Sequence, residues 1–208
     1  MGDTEDIQHR RALARVYSVE TNLWGDLISM PLPAEANMMR FPMVVLSNPA
    51  VLVEDSLYWH LGGSISGILE FNLEGQSLDV IRLPLDIGPD HYSVIRDEDG
   101  GLGFLSVSEF AAQFWKRKTD SDGVASWVLG RTIELDKLLS LNPAEHKHIL
   151  IRGFAEENNM AFLSTDIGLF MVQLQSLKFT FMEGYEANPL DYCHPFESVF
   201  TAGNRLQT

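Results

Sequence analysis

Short apolar stretches, each soon broken by Asp, Glu, Asn, Gly or Ser, run along most of the chain. Such punctuation predicts β-strands joined by tight turns. Four stretches share one arrangement, an aromatic or large apolar residue near a strand end, a polar turn, and a second apolar strand. They read VYSVETNLW from Val16, EFNLEGQSL from Glu70, WKRKTDSDGVASW from Trp115 and MVQLQSLKF from Met171. Upstream of three of them lies another strand pair, AVLVEDSLYWHL from Ala50, YSVIRDEDGGLGFLSVS from Tyr92 and ILIRGFAEENNMAFLST from Ile149. In each pair an acidic, Asn-bearing or Gly-bearing turn joins an apolar strand to a second of alternating or apolar character.

With Tyr17, Phe71, Trp115 and Met171 as equivalent points, the spacings are 54, 44 and 56 residues. These are near the roughly 40 to 50 residues of a four-stranded propeller blade. Trp24 follows Tyr17, and Leu78 follows Phe71, by seven residues, whereas Trp127 follows Trp115 by twelve, so the third turn is expected to carry five extra residues. A sandwich also shows short strands and turn signals, but the four-strand repeat favours radial closure, which avoids long exposed edges.

The expected fold is therefore all-β, a partial or small β-propeller of four-stranded antiparallel meanders, about three and a half blades with one short helix. The end of one blade is expected near Ala12 to Met30. Whole blades follow over Ala50 to Pro84, His91 to Leu135 and His148 to Tyr185, with a final strand near Phe196 to Thr201. The helix lies in TIELDKLLSL, where Leu135, Leu138 and Leu139 share one face and Asn142 and Pro143 follow as a stop. Residues 1–13 read as a polar segment, 14–203 as the folded domain and 204–208 as a tail.

Composition narrows the function. A formal charge of −14 repels nucleic-acid phosphates and anionic membranes alike. Cys193 is the only cysteine, so no intrachain disulfide is available and a multi-thiolate zinc site lacks ligands. The N-terminus is charged where a signal peptide is apolar, and no apolar run nears the roughly 20 residues that span a bilayer. The expected location is cytoplasmic or nuclear.

Catalytic motifs fail on spacing. GGSISG, from Gly62 to Gly67, puts Ile65 where a nucleophile elbow needs Ser, and GGLG, from Gly100, opens a strand rather than a helix. Both read as turns. His146 and His148 share a strand face but have no third ligand nearby, and Cys193 and His194 point to opposite faces of any strand. DEDGG at Asp97 and DSDG at Asp120 lack the later Glu of a calcium loop and read as turns. A site in a propeller channel would draw on His60, His91 and His148, but no convergent catalytic set is evident. No cofactor is implied, and the reading is a binding protein rather than an enzyme.

Meander parity adds a charge pattern. The turns within the first and second hairpins of each blade fall at one end of the sheets, and there the sequence collects Glu54, Asp55, Asp97, Glu98, Asp99, Asp120, Asp122, Glu156 and Glu157, with Glu20 and Glu74. Lys118 is the nearest basic residue in sequence. The nine are the candidate partner-contact residues, an acidic face that would steer a basic partner.

The phrases VYSVETNLW, PAVLVEDSLYWHL, ILEFNLEGQSLDVIRLP, WVLGRTIELDKLL and HPFESVFTAG, in this order, resemble the plant F-box-associated domains, the propeller-like, kelch-like C-terminal regions of F-box proteins. The resemblance implies a protein-interaction module that recognises the substrate of an SCF-type ubiquitin ligase, with an upstream F-box gripping a Skp-type adaptor and no catalytic residues. Residues 1–13 are too short and too polar for an F-box, so the chain is expected to be N-terminally truncated, with adaptor binding only if an F-box lies upstream. The alternative is a standalone interaction protein.

Overall fold

The structure, a computed structural model, describes residues 11–33, 44–45, 49–62, 66–84, 87, 91–144, 148–183 and 193. Strands β1 (Arg11–Ala14) and β2 (Tyr17–Ser18) return as β3 (Leu23–Trp24) and β4 (Ile28–Pro31), pairing β1 with β4 and β2 with β3. Together they form one kinked hairpin, the half blade expected near Ala12 to Met30. Its first strand opens at Arg11, inside the expected polar segment.

Three antiparallel meanders follow. The first runs β6 (Val51–Val53), β7 (Ser56–Gly62), β8 (Gly67–Asn72) and β9 (Ser77–Arg82), and β5 (Val44–Val45) also pairs with β7. The second runs β10 (Tyr92–Arg96), β11 (Leu102–Ser108), β12 (Ala111–Thr119) and β13 (Ala125–Glu134). The third runs β14 (Leu150–Ala155), β15 (Met160–Thr165), β16 (Gly168–Gln173) and β17 (Lys178–Glu183). The β10 strand touches both β6 and β14, so the first strand of each blade lies innermost and the sheets fan out from it. The final strand expected near Phe196 to Thr201 lies outside the described residues.

Burial explains the sequence pattern. A middle blade is covered on both faces, so β11 is buried from Leu102 to Val107 and reads as a continuous apolar run. Phe104 turns toward the preceding blade, among Val51, Ile68, Ile81 and Tyr92. Leu105 and Val107 turn toward the following blade, among Ile151, Leu163, Phe170 and Val172. Helix α1 (Leu135–Leu139) caps this second core with buried Leu135 and Leu139 and ends at Ser140, whose backbone is left-handed. Each such side chain contributes about 1.5–3 kcal/mol on burial.

The register revises two readings of the repeat. Tyr17 faces Trp24 and Phe71 faces Leu78, as their shared spacing implies, but Trp115 faces Leu129 while Trp127 faces Arg117. The turn between Thr119 and Ala125 has five residues, against four between Asn72 and Ser77. Most of the extra length therefore extends the strands, and Trp115 and Trp127 are same-face diagonal neighbours that both pack on Phe104. In the last blade Val172, not Met171, is the equivalent point, since it faces Phe179.

The half blade is thinly attached. Among the described residues, Leu61 alone is fully buried at its junction with the next blade, with Leu32 and Val80 packed against it. Leu13, Leu23, Trp24 and Leu27 are exposed.

Candidate partner-binding faces

The nine candidate acidic residues all sit in turns at one end of the sheets, as parity requires. Two of them build their loops. Asp97 Oδ1 accepts from the backbone N–H groups of Asp99 and Gly101, each at 2.8 Å. Asp120 Oδ1 does the same for Asp122 at 3.0 Å and Val124 at 2.8 Å. Both loops place glycine fourth in the left-handed region, Gly100 at φ 87° and Gly123 at φ 81°, which explains why DEDGG and DSDG share their Asp and Gly.

Three others meet cations that the linear turns concealed. Lys116 on β12 donates to Asp99 at 2.9 Å, Arg131 on β13 lies 3.9 Å from Glu98, and Arg96 at the end of β10 lies 4.0 Å from Glu156. The bond from Lys116 holds the Asp99 carboxyl below its usual range, and the same bond holds Lys116 above the usual ammonium range. The acidic end is thus less bare than expected, since Lys116, Arg131 and Arg96 pair with it in addition to Lys118, whose charge also acts on Asp99. Glu54, Asp55, Asp122 and Glu157 remain exposed at the rim.

Arg96 also joins blades. It donates to the backbone oxygen of Leu52 on β6 at 2.6 Å while facing Glu156 in the turn after β14, so one guanidinium links the inner hairpins of three successive blades. At the opposite end, Tyr92 donates from β10 toward the carbonyls of Gly67 (2.5 Å) and Leu61 (3.2 Å) in the preceding blade, and its oxygen accepts from Gly67 N–H at 3.1 Å. Trp127 fixes the outer strands by donating to the Arg82 carbonyl at 2.8 Å. These contacts make the blades one scaffold.

Where the inner strands converge they enclose a cavity of about 270 Å³, walled by Val51, His60, Val94, Gly153, Glu156 and Cys193. His60 is buried against the Tyr92 ring, with centroids 3.9 Å apart, and Cys193 donates its backbone N–H to Arg152 at 2.6 Å. His60 lines this cavity, whereas His91 and His148 line a different one. Residues His146, His194, Gly63 and Ile65 lie outside the described residues. Among the described residues no group of three or more His, Cys, Asp or Glu is arranged to hold a metal, and no helix is long and apolar enough to cross a membrane.

Sequence reasoning missed Arg96, Tyr92 and Ser106. The signals were a lone Arg closing an apolar inner strand, a Tyr opening it, and one Ser inside the apolar run of β11. A sequence family described as F-box protein AT5G49610-like, beta-propeller, matches residues 3–198. F-box protein At5g03970 of Arabidopsis thaliana is 21% identical over 136 residues, which cover 62% of this chain and 32% of that protein. The chain therefore spans about a third of the length of that curated relative.

Proposed function

Because the chain belongs to the F-box protein AT5G49610-like β-propeller family, we propose that it is the target-holding part of an SCF-type ubiquitin ligase, working by position rather than by catalysis. The observation that carries the reading is the family match across residues 3–198. What supports it physically is a scaffold whose blades are tied by Arg96, Tyr92 and Trp127, leaving turn residues free to vary without loss of the core. In this reading the domain, about residues 14–203, presents Glu54, Asp55, Asp122 and Glu157 at its acidic rim to steer a basic stretch of the target. The partners are proteins in the cytoplasm or nucleus, and a Skp-type adaptor joins through an F-box.

Affinity purification tests this directly. The chain joined downstream of an F-box should recover a Skp-type adaptor together with a saturable target, and the chain alone should recover the same target without the adaptor. Failure of both forms to hold any protein saturably would remove the reading. Adaptor recovered by the chain alone would overturn the division of labour. Charge reversal at Glu54, Asp55, Asp122 and Glu157 should weaken capture most at low salt.

A further inference from the structure

Asp-Gly occurs twice in the chain, at Asp99–Gly100 in the turn from β10 to β11 and at Asp122–Gly123 in the turn from β12 to β13. The two turns are built alike. In each, an Asp side chain accepts from the N–H groups two and four positions on, Asp97 from Asp99 and Gly101, and Asp120 from Asp122 and Val124. The backbone N–H of Asp97 donates to the Gly101 carbonyl at 2.8 Å, and that of Asp120 to the Val124 carbonyl at 3.0 Å. Each glycine N–H also bonds back to the first residue, Gly100 to Asp97 at 3.0 Å and Gly123 to Asp120 at 3.1 Å. Both glycines are left-handed, so the backbone does not distinguish the two sites.

The carboxyls do differ. Asp99 is bonded to Lys116 at 2.9 Å, and the charge of Lys118 acts on it as well. Asp122 is exposed and has no side-chain bond among the described residues. In an Asp-Gly pair the glycine nitrogen can attack the side-chain carboxyl before it, because glycine has no Cβ to block the approach and turns freely in φ. The new N–C bond closes a five-membered succinimide, and the carboxyl hydroxyl leaves with the amide proton as water. A second water then opens the ring. Opening at the former backbone carbonyl leaves the chain running through the side chain, as isoaspartate. One water is lost and one gained, with no oxidant, reductant or enzyme.

To be attacked, the carboxyl must leave its partners and carry a proton. Lys116 opposes both at Asp99, since its bond fixes that carboxyl and holds it below its usual range. Nothing comparable holds Asp122. We propose that Asp122–Gly123 is a site of spontaneous isoaspartate formation on the acidic rim, and that Lys116 guards its twin at Asp99–Gly100. The product carries one more backbone atom at the tip of the β12–β13 turn, which strains the bonds between Asp120 and Val124 and moves a carboxylate without changing the net charge. Asp122 is one of the four rim residues proposed to steer a target. That consequence rests on the proposed function, whereas the chemistry does not.

The test is to hold the full chain at neutral pH and physiological temperature and sample it over weeks. Trypsin separates the two sites, into peptides 97–116 and 119–131, and isoaspartate is located in each by chromatography and fragmentation. It should accumulate at Asp122, and at Asp99 about two- to fivefold more slowly, the factor that an exposed ion pair supplies. Lys116→Ala should bring Asp99 up to the rate of Asp122 and leave Asp122 unchanged. Lys116→Met, which keeps the length of the side chain without its charge, should do the same. In urea, where both turns are unfolded, the two sites of the parent should react alike. No isoaspartate at Asp122, an Asp99 as fast as Asp122 in the native parent, an Asp99 still slow in both Lys116 variants, or the same difference in urea would overturn the assignment. A chain that isomerises as described but captures no protein would keep this site and lose the ligase reading.

Discussion

At the residue scale, stability between blades rests on a few groups with distant partners. The Tyr92 hydroxyl reaches Leu61 and Gly67, 31 and 25 positions earlier, and Gly67 is itself buried. Tyr92→Phe keeps the ring against His60 and Phe104 but strands the Gly67 N–H, so unfolding free energy should fall by about 1–3 kcal/mol in urea titrations. The Asp99–Lys116 pair makes a second prediction. Asp99 is depressed and Lys116 raised, so the stability the pair adds is present from about pH 4, the unfolded Asp value, to about pH 10, the unfolded Lys value. It is lost as pH falls through the folded Asp99 value or rises through the folded Lys116 value. Asp99→Asn should bring the Lys116 titration, followed by NMR, back toward the ordinary range, and an unchanged midpoint would show that the hydrogen bond is not its cause. None of these pairings was legible in the sequence, because alternation reports which face a residue takes and not which distant carbonyl or carboxylate it meets.

Among the elements, strands and turns were the legible part. The apolar runs of β7, β11 and β15 fall where the repeat expected them, since two-sided burial and tight turns leave a strong mark in sequence. Hairpin length was misread because Trp115 and Trp127 resemble an opposed pair, whereas a longer ladder makes them diagonal. The four-residue turns after β2, β8, β14 and β16 end in Asn22, Gln76, Asn159 and Leu177, all at positive φ. Leucine is the worst suited of these, and Leu177→Gly should raise stability by about 1 kcal/mol if the strain outweighs the lost side chain, which is 41% exposed. Gly168 is the reverse case, since a Cβ there would lie 2.5 Å from the Met182 carbonyl at φ 151°. Gly168→Ala should cost about 2–4 kcal/mol and free the β16–β17 hairpin to hydrogen exchange.

Across the whole molecule the joints are unequal. The core between the last two blades includes α1 and the aromatic ring of Phe170, whereas the half blade is held chiefly at Leu61, Leu32 and Val80. Its amides should therefore exchange before those of β11 or β15, and equal protection would contradict a thin joint. The acidic end was legible as a run of turn acids, but its cations were not, because Arg96, Lys116 and Arg131 reach it from strands rather than from the turns themselves. Whether this scaffold holds a target for a ligase is decided by the half-life of a captured protein in cells given the chain joined to an F-box, compared with cells given the chain alone. The half-life should shorten with the F-box and stay unchanged without it, and equal half-lives under both conditions would remove the proposed role.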